Sequence, residues 1–254
     1  MLEITSASNA KIKYVRSLTQ KKAREENGEY TVEGIKSVRD AVNSDRDITA
    51  IYVSFSFFDK EHFDYPENIT LCRVSDNIFE KMCDTKAPQG ILAVIRISDD
   101  CDFEITDGAY IYCDTVQDPG NLGTIIRTAD AAGFNGVLLS EGCADLYNPK
   151  TVRSSMGSFF NTQVWRNVNY EKIAELKSSG FNIIGGTLSD QSIDYREASY
   201  KKPLIIVVGN EANGIRDEVL KICTHVKIPI LGKAESLNAG VAAAILMYER
   251  VRHE

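Results

Sequence analysis

Apolar positions along this chain recur with two different periods, and the two alternate. Ile12, Val15 and Leu18 share one stripe of a helix predicted over residues 8–24, with lysines on its other faces. Residues 30–32 read as a short strand closing at Gly34, and residues 35–42 as a helix carrying Val38 and Val42 one turn apart. Strands are expected at 48–53, 69–74 and 91–97, with a helix at 76–83. The stretch 98–108, SDDCDFEITDG, is acidic, turn-rich and without period. It predicts a linker at 99–108 between a smaller domain at 1–98 and a larger one at 109–254.

Beyond the linker the units lengthen. Strands are predicted at 110–116, 136–140, 181–188, 204–208 and 226–230. Helices are predicted at 121–132, 149–160, 170–178, 216–223 and 236–251. The run LIIVV at 204–208 is apolar throughout, as in a strand buried on both faces of a parallel sheet. The alternation calls for an α/β fold with helices on both faces of the sheet.

Composition narrows the class. At 43% hydrophobic and 26% charged over 254 residues, the chain has the mix of a soluble globular protein. No stretch approaches the roughly 18 apolar residues of a membrane span, and the N-terminus lacks the pattern of a secretory signal. Six scattered cysteines form no CxxC pair, which argues against a zinc site or a disulfide framework and favours a reducing cytoplasm. The net charge is −7, yet residues 1–24 hold six basic side chains against Glu3 alone, a local +5 on a body of −12. A basic arm of this kind is either a solvated helix face or a contact to a phosphate backbone.

Three polar or glycine-rich segments follow strands in the larger domain, where ligands of open α/β sheets bind. In the first, DTVQDPGNLGTIIR at 114–127, residues 118–120 make a turn, Asn121 is placed to cap the next helix, and Arg127 sits about two turns in. In the second, VVGNEANGI at 207–215, Gly209 ends an apolar strand where a missing Cβ permits close approach of a ligand, and Glu211 places a carboxylate just beyond. The third, IPILGKAESLN at 228–238, stops a strand at a proline and opens a helix rich in small residues. Each segment alone is equally a turn or a packed core helix. The GxGxxG and GxxxxGK[ST] patterns are absent, which disfavours a dinucleotide-dependent dehydrogenase or a P-loop enzyme.

Together the three segments resemble motifs 1, 2 and 3 of the SpoU-type (TrmH-like) ribose methyltransferases of the SPOUT superfamily. The matching residues are Asn121-x-Gly123-x-x-x-Arg127-x-Ala129, Gly209-Asn210-Glu211-x-x-Gly214, and Ile228-Pro229-Ile230 followed by Ser236-Leu237-Asn238. Asn148-Pro149-Lys150-x-x-Arg153-x-Ser155-x-Gly157 is similar to a further family segment. The stretch from Ser8 to Gly34 resembles the family's N-terminal substrate-binding domain, a small fold similar to RNA-binding ribosomal proteins.

The resemblance implies a trefoil-knotted, mainly parallel sheet, a homodimer, and transfer of a methyl group from S-adenosylmethionine to a ribose 2′-hydroxyl of ribosomal or transfer RNA. It implies catalytic roles for Arg127, Asn121, Glu211, Ser236 and Asn238, with Arg127 either the base or a clamp on the neighbouring phosphate. It places the cofactor among Thr187, Leu188, Val208, Gly209, Ile228, Ile230 and Leu237. RNA contacts are expected from Lys11, Lys13, Lys21, Lys22, Arg24, Lys150 and Arg153, and no metal or membrane partner is expected. An RNA-binding protein on the same scaffold without catalysis is the alternative.

Overall fold

The computed structural model describes residues 1–98 and 105–253, so residues 99–104 of the expected linker lie outside the described residues. Up to residue 98 the chain forms β1 (Leu2–Ile4), α1 (Ala10–Ser17), α2 (Lys21–Asn27), β2 (Glu29–Glu33) and α3 (Ile35–Val42). It continues through β3 (Ile48–Ser54), α4 (Phe55–Lys60), β4 (Thr70–Val74), α5 (Asp76–Met82) and β5 (Ile91–Arg96). The sheet order is β1-β4-β3-β5-β2, parallel from β1 to β3 and antiparallel from β3 to β2. Helices α1 and α5 close one face, packing Ile12, Val15, Ile78 and Phe79 against Tyr52, Cys72 and Val94.

The single helix expected at 8–24 is two. Asn9 caps α1 by accepting from the Lys11 amide at 2.9 Å, while Ser17 and Thr19 turn their hydroxyls onto the carbonyls of Tyr14 and Arg16. Such local bonds compete with helix continuation. The chain restarts from the extended Gln20, and α2 ends at Gly28 in the left-handed region. β1 and α4 escape sequence reading because three and six residues carry too little period.

The second stretch forms β6 (Ala109–Asp114), α6 (Pro119–Ala131), β7 (Gly136–Leu139), α7 (Pro149–Ser154), α8 (Ser158–Asn161) and β8 (Val164–Trp165). It then forms α9 (Tyr170–Ser178), β9 (Asn182–Gly186), β10 (Ile193–Asp194), β11 (Leu204–Gly209), α10 (Asp217–Leu220), β12 (Thr224–Lys227) and α11 (Ala239–Arg252). The sheet order is β10-β12-β9-β11-β6-β7-β8, and every pairing among the described residues is parallel. Both faces are covered, and Ile205 and Val207 of β11 are fully buried.

Three details depart from the pattern-based expectation. The helix expected at 149–160 breaks into α7 and α8 at Met156 and Gly157, both at positive φ. The last strand ends at Lys227 instead of reaching residue 230, since Pro229 has no N–H to give to a ladder. Helix α11 begins at Ala239 with Asn238 as its cap, three residues after the expected start.

Residues 145–160 fall inside the range 109–254 expected for the larger domain, yet they pack into the first compact unit, with residues 1–98. Tyr30 of β2 lies with its ring centroid 4.8 Å from Tyr147 and 5.7 Å from Phe159. Residues 105–144 and 161–253 make up the second unit. No helix among the described residues is long and apolar enough to cross a membrane.

Candidate active site

The strand order sets the place of the site. From β6 the chain steps outward through β7 and β8, then returns to the other side of β6 for β9, so the topology switches where β6 and β11 lie side by side. Ligands of parallel sheets bind beyond the carboxyl ends of strands at such a point. Gly209 and Asp114 are register partners there, so the loops after β6 and β11 leave the sheet together.

Each loop is held by its own polar residues. Asp118, extended ahead of Pro119 at the first helical position, caps α6 by accepting from the Asn121 amide at 2.8 Å. Asn121 is therefore not the cap that its sequence position predicts: a proline at the first turn moves the cap one residue upstream of it. The Asn121 side chain, 8% exposed, is free to bond elsewhere. In the loop after β11, Asn210 and Gly214 exchange two backbone bonds at 2.9 Å each, and the Asn210 side chain accepts from Ala212 and Asn213. Its own amide donates to the carbonyl of Thr115, a threonine held at φ +58°.

These loops meet in one hydrogen-bonded chain. Asn238 Nδ2 donates to Asn121 Oδ1 at 2.8 Å, and Asn121 Nδ2 donates to Glu211 Oε1 at 2.7 Å. Asn238 also caps α11 through the Val241 amide. Burial would raise the Glu211 carboxyl, but Asn121 and the backbone amides around it outweigh that and hold it below the usual glutamate range. Glu211 is thus an anion at neutral pH.

A cleft of about 630 Å³ opens beside Glu211, at the ends of β9, β11 and β12. Thr187, Leu188, Val208, Gly209, Ile228, Ile230 and Leu237 all line it, as do Glu211 and Ser236. Its volume falls within the roughly 300–1,000 Å³ usual for small-molecule clefts. Val208, Val226 and Leu246 give it a buried apolar floor. Gly186 and Leu246 line it without having been singled out in the sequence, because a small or apolar residue in a core element carries no sign of a ligand.

Gly209, which lines the cleft, has a second part in the loop. A Cβ built there would lie 2.2 Å from the Gly214 carbonyl carbon and 2.3 Å from the Ile215 nitrogen. The missing side chain admits the returning loop of the same chain.

Behind the loop lies a pair that sequence reading missed. Asp114, with no exposed surface, accepts from Arg216 Nε at 2.7 Å and from the Arg216 backbone amide at 2.8 Å. An acid ending an otherwise apolar strand was the available signal, since a buried carboxylate needs a partner.

Arg127 stands apart from this chain. It is exposed on α6, lines no part of the cleft, and makes no ion pair or hydrogen bond within the described residues. No histidine lines the cleft; His225 bonds the Leu220 carbonyl and His253 bonds Glu249.

The residues expected to meet RNA divide. Lys11, Lys13, Lys21, Lys22 and Lys150 are exposed. Lys21 and Lys22 stand 3.6 and 3.7 Å from Glu25 and Glu26, one turn along α2. Arg24 contradicts the expectation: it is 2% exposed, donates to the Leu18 carbonyl at 2.7 Å and pairs with Asp145. It is a structural cation of the first unit. Arg153 is tied to Asp84 at 3.1 Å.

Known proteins share this fold. An S-adenosylmethionine-bound rRNA methyltransferase from Sinorhizobium meliloti superimposes with a TM-score of 0.87 at 32% identity, covering 99% of this chain and 97% of that one. The SpoU methyltransferase AviRb from Streptomyces viridochromogenes, bound to the same cofactor, gives 0.83 at 25% identity over 96% and 98%. The fold is that of the SpoU methyltransferases, and the protein is an RNA methyltransferase that uses S-adenosylmethionine. The SpoU rRNA methylase family profile matches residues 108–248, and that of the MRM3-like substrate-binding domain matches 9–93. The 23S rRNA (guanosine(2553)-2′-O)-methyltransferase RlmP of Bacillus subtilis is 37% identical over 251 residues, 98% of either chain. The chain belongs to the SpoU rRNA methylase family.

Proposed function

We propose that the protein methylates a ribose 2′-hydroxyl of ribosomal RNA in the cytoplasm. The observation that carries this is the chain Asn238–Asn121–Glu211, which joins all three loops at the rim of the cleft. The family's wider properties, a trefoil-knotted path and a homodimer, belong to the same proposal. Leu237, Val241 and Tyr248, exposed by 37%, 47% and 51% at the start and along α11, give a second copy an apolar surface to cover.

The cleft suits the cofactor: an apolar floor for a flat ring, with main-chain groups of residues 187–188, 209–214 and 228–230 around it to read polar edges. When bound, S-adenosylmethionine supplies an electrophilic methyl group. Glu211, kept anionic, and Asn121 hold the loops that face it. Ser236 and Asn238 flank the same rim. Arg127 takes its role at the ribose, either removing the proton or gripping the neighbouring phosphate, with a second copy completing the site around it. A binder without catalysis has no chemical use for an assembled Asn238–Asn121–Glu211 chain.

The test is methyl transfer from labelled S-adenosylmethionine to a 23S rRNA transcript and to bulk transfer RNA, followed by mapping of ribose methylation. Labelling of one ribose in the 23S transcript is expected. Labelling of transfer RNA alone, or of neither, overturns the proposal.

A further inference from the structure

In the first unit, the C-terminal part of α1 and the end of α5 enclose a hollow of about 500 Å³, and three cations line it: Lys13, Arg16 and Lys81. All three are exposed, and none has a carboxylate within 4 Å among the described residues. Some other cations of this unit are spoken for, Arg24 by Asp145, Lys36 by Asp40, and Arg73 by Glu3 and Asp59, while ones unpaired among the described residues, such as Lys11, Lys60 and Lys86, do not line the hollow. The acid on the wall of the hollow, Asp84, is already matched by Arg153 at 3.1 Å. Ser17, Thr19 and Gln20 add neutral polar groups to the lining, and Met82 and Cys83 complete it.

Helix ends explain part of this charge. Arg16 and Lys81 stand in the last turns of α1 and α5, where cations are favoured. Lys13 is not in a last turn, so the helix ends do not account for it. Three unmatched cations brought from two elements around one concavity repel one another, and a phosphodiester backbone is the ligand that relieves this.

We propose that this hollow seats RNA phosphates, and that Lys13, Arg16 and Lys81 are the main backbone grip of the N-terminal unit. The proposal rests on the reading of the protein as an RNA methyltransferase acting on ribosomal RNA. It moves the grip away from Lys21 and Lys22, whose charges meet glutamates one turn on.

The experiment is filter binding of the full chain to a 23S rRNA transcript across a salt series. Lys13→Gln/Arg16→Gln/Lys81→Gln is compared with Lys21→Gln/Lys22→Gln. Each phosphate contact contributes about 0.9 to the slope of log K against log salt. The triple variant is expected to flatten that slope by about two to three and to weaken binding roughly 10- to 100-fold at 0.1 M salt. The Lys21/Lys22 variant is expected to lose less than about threefold. Should removing the helix-end cations unfold the triple variant, Lys13→Gln/Lys81→Gln with Arg16 retained carries the test, with a slope change of about two. Wild-type binding combined with an unchanged slope in the folded variant overturns the hollow. Failure of the wild type to bind or methylate ribosomal RNA overturns the functional reading instead.

Discussion

Asn121 donates its side-chain amide to Glu211 across 2.7 Å, joining two loops whose residues are 90 apart in sequence. The same carboxylate takes the Gln117 amide at 3.4 Å through its other oxygen. One anion thereby fixes the start of α6 against the loop after β11, and the mouth of the cleft takes its shape from that bond.

Replacing Glu211 with Gln keeps the shape and removes the charge. Bonds to a charged partner contribute about 1.5–3 kcal/mol, so turnover should fall roughly 10- to 100-fold, read as methyl incorporated per minute under saturating cofactor. Because the folded carboxyl titrates below its usual value, its contribution is complete above the unfolded pKa and is lost only as pH falls through the folded one. The Glu211-dependent part of activity should therefore be flat through neutral pH and disappear below about 4.3, the ordinary glutamate value. An acid limb near neutrality would exclude Glu211 as its source.

Arg24 should behave as a core residue. Its guanidinium is buried against the Leu18 carbonyl and Asp145. Removing one partner of such a pair leaves the other uncompensated, at about 3–5 kcal/mol for fully buried pairs. Asp145 keeps 18% exposure, so Arg24→Ala should cost about 3 kcal/mol, measured by urea unfolding. The salt slope of RNA binding by the folded fraction should not change. A reduced slope with unchanged stability would return Arg24 to the RNA surface.

The contrast between Glu211 and Arg24 shows what a sequence can display. The helices and strands of the larger domain carried their periods openly, and the three polar loops stood where strands ended. The seven residues expected at the cofactor gather in one cleft because the loops that bear them leave adjacent parallel strands. Counting charge at the N-terminus could not reveal Asp145, which lies 121 residues from Arg24. Nor could it place residues 145–160 in the first unit, since their helical period is the same wherever they pack. The Asp114–Arg216 pair was hidden for a similar reason, its partners being 102 residues apart.

Gly209 and Ala242 separate loop geometry from cleft volume. At Gly209 a Cβ meets backbone at 2.2 Å, so Gly209→Ala must displace the loop that carries Glu211. Both stability and cofactor affinity should fall, the latter at least about tenfold, equivalent to 1.4 kcal/mol. Ala242 lines the cleft from α11, and Ala242→Leu adds bulk there on a helix instead of in the loop backbone. Calorimetry should show weakened S-adenosylmethionine binding at an unchanged melting temperature. A Gly209→Ala protein with wild-type stability would show that the loop can yield.

Arg127 carries the sharpest test, because within the described residues nothing holds it. A surface arginine without a role costs little to replace, usually within about 0.5 kcal/mol. If it acts at the reacting ribose, Arg127→Ala should collapse kcat and kcat/KM together while melting temperature and cofactor affinity stay put. A pure RNA anchor would instead raise KM alone. Lysine divides the two catalytic options. It keeps the positive charge without the planar fork, so a bidentate phosphate clamp should fail with it. It is also far easier to deprotonate, so a base role should survive in part, with activity climbing toward alkaline pH. Because the site around Arg127 is proposed to be completed by a second copy, mixing Arg127→Ala with Glu211→Gln protein should restore some activity through heterodimers, each holding one intact site. Absence of any recovery, with heterodimers shown by sedimentation, would leave Arg127 and Glu211 serving the same protomer's site.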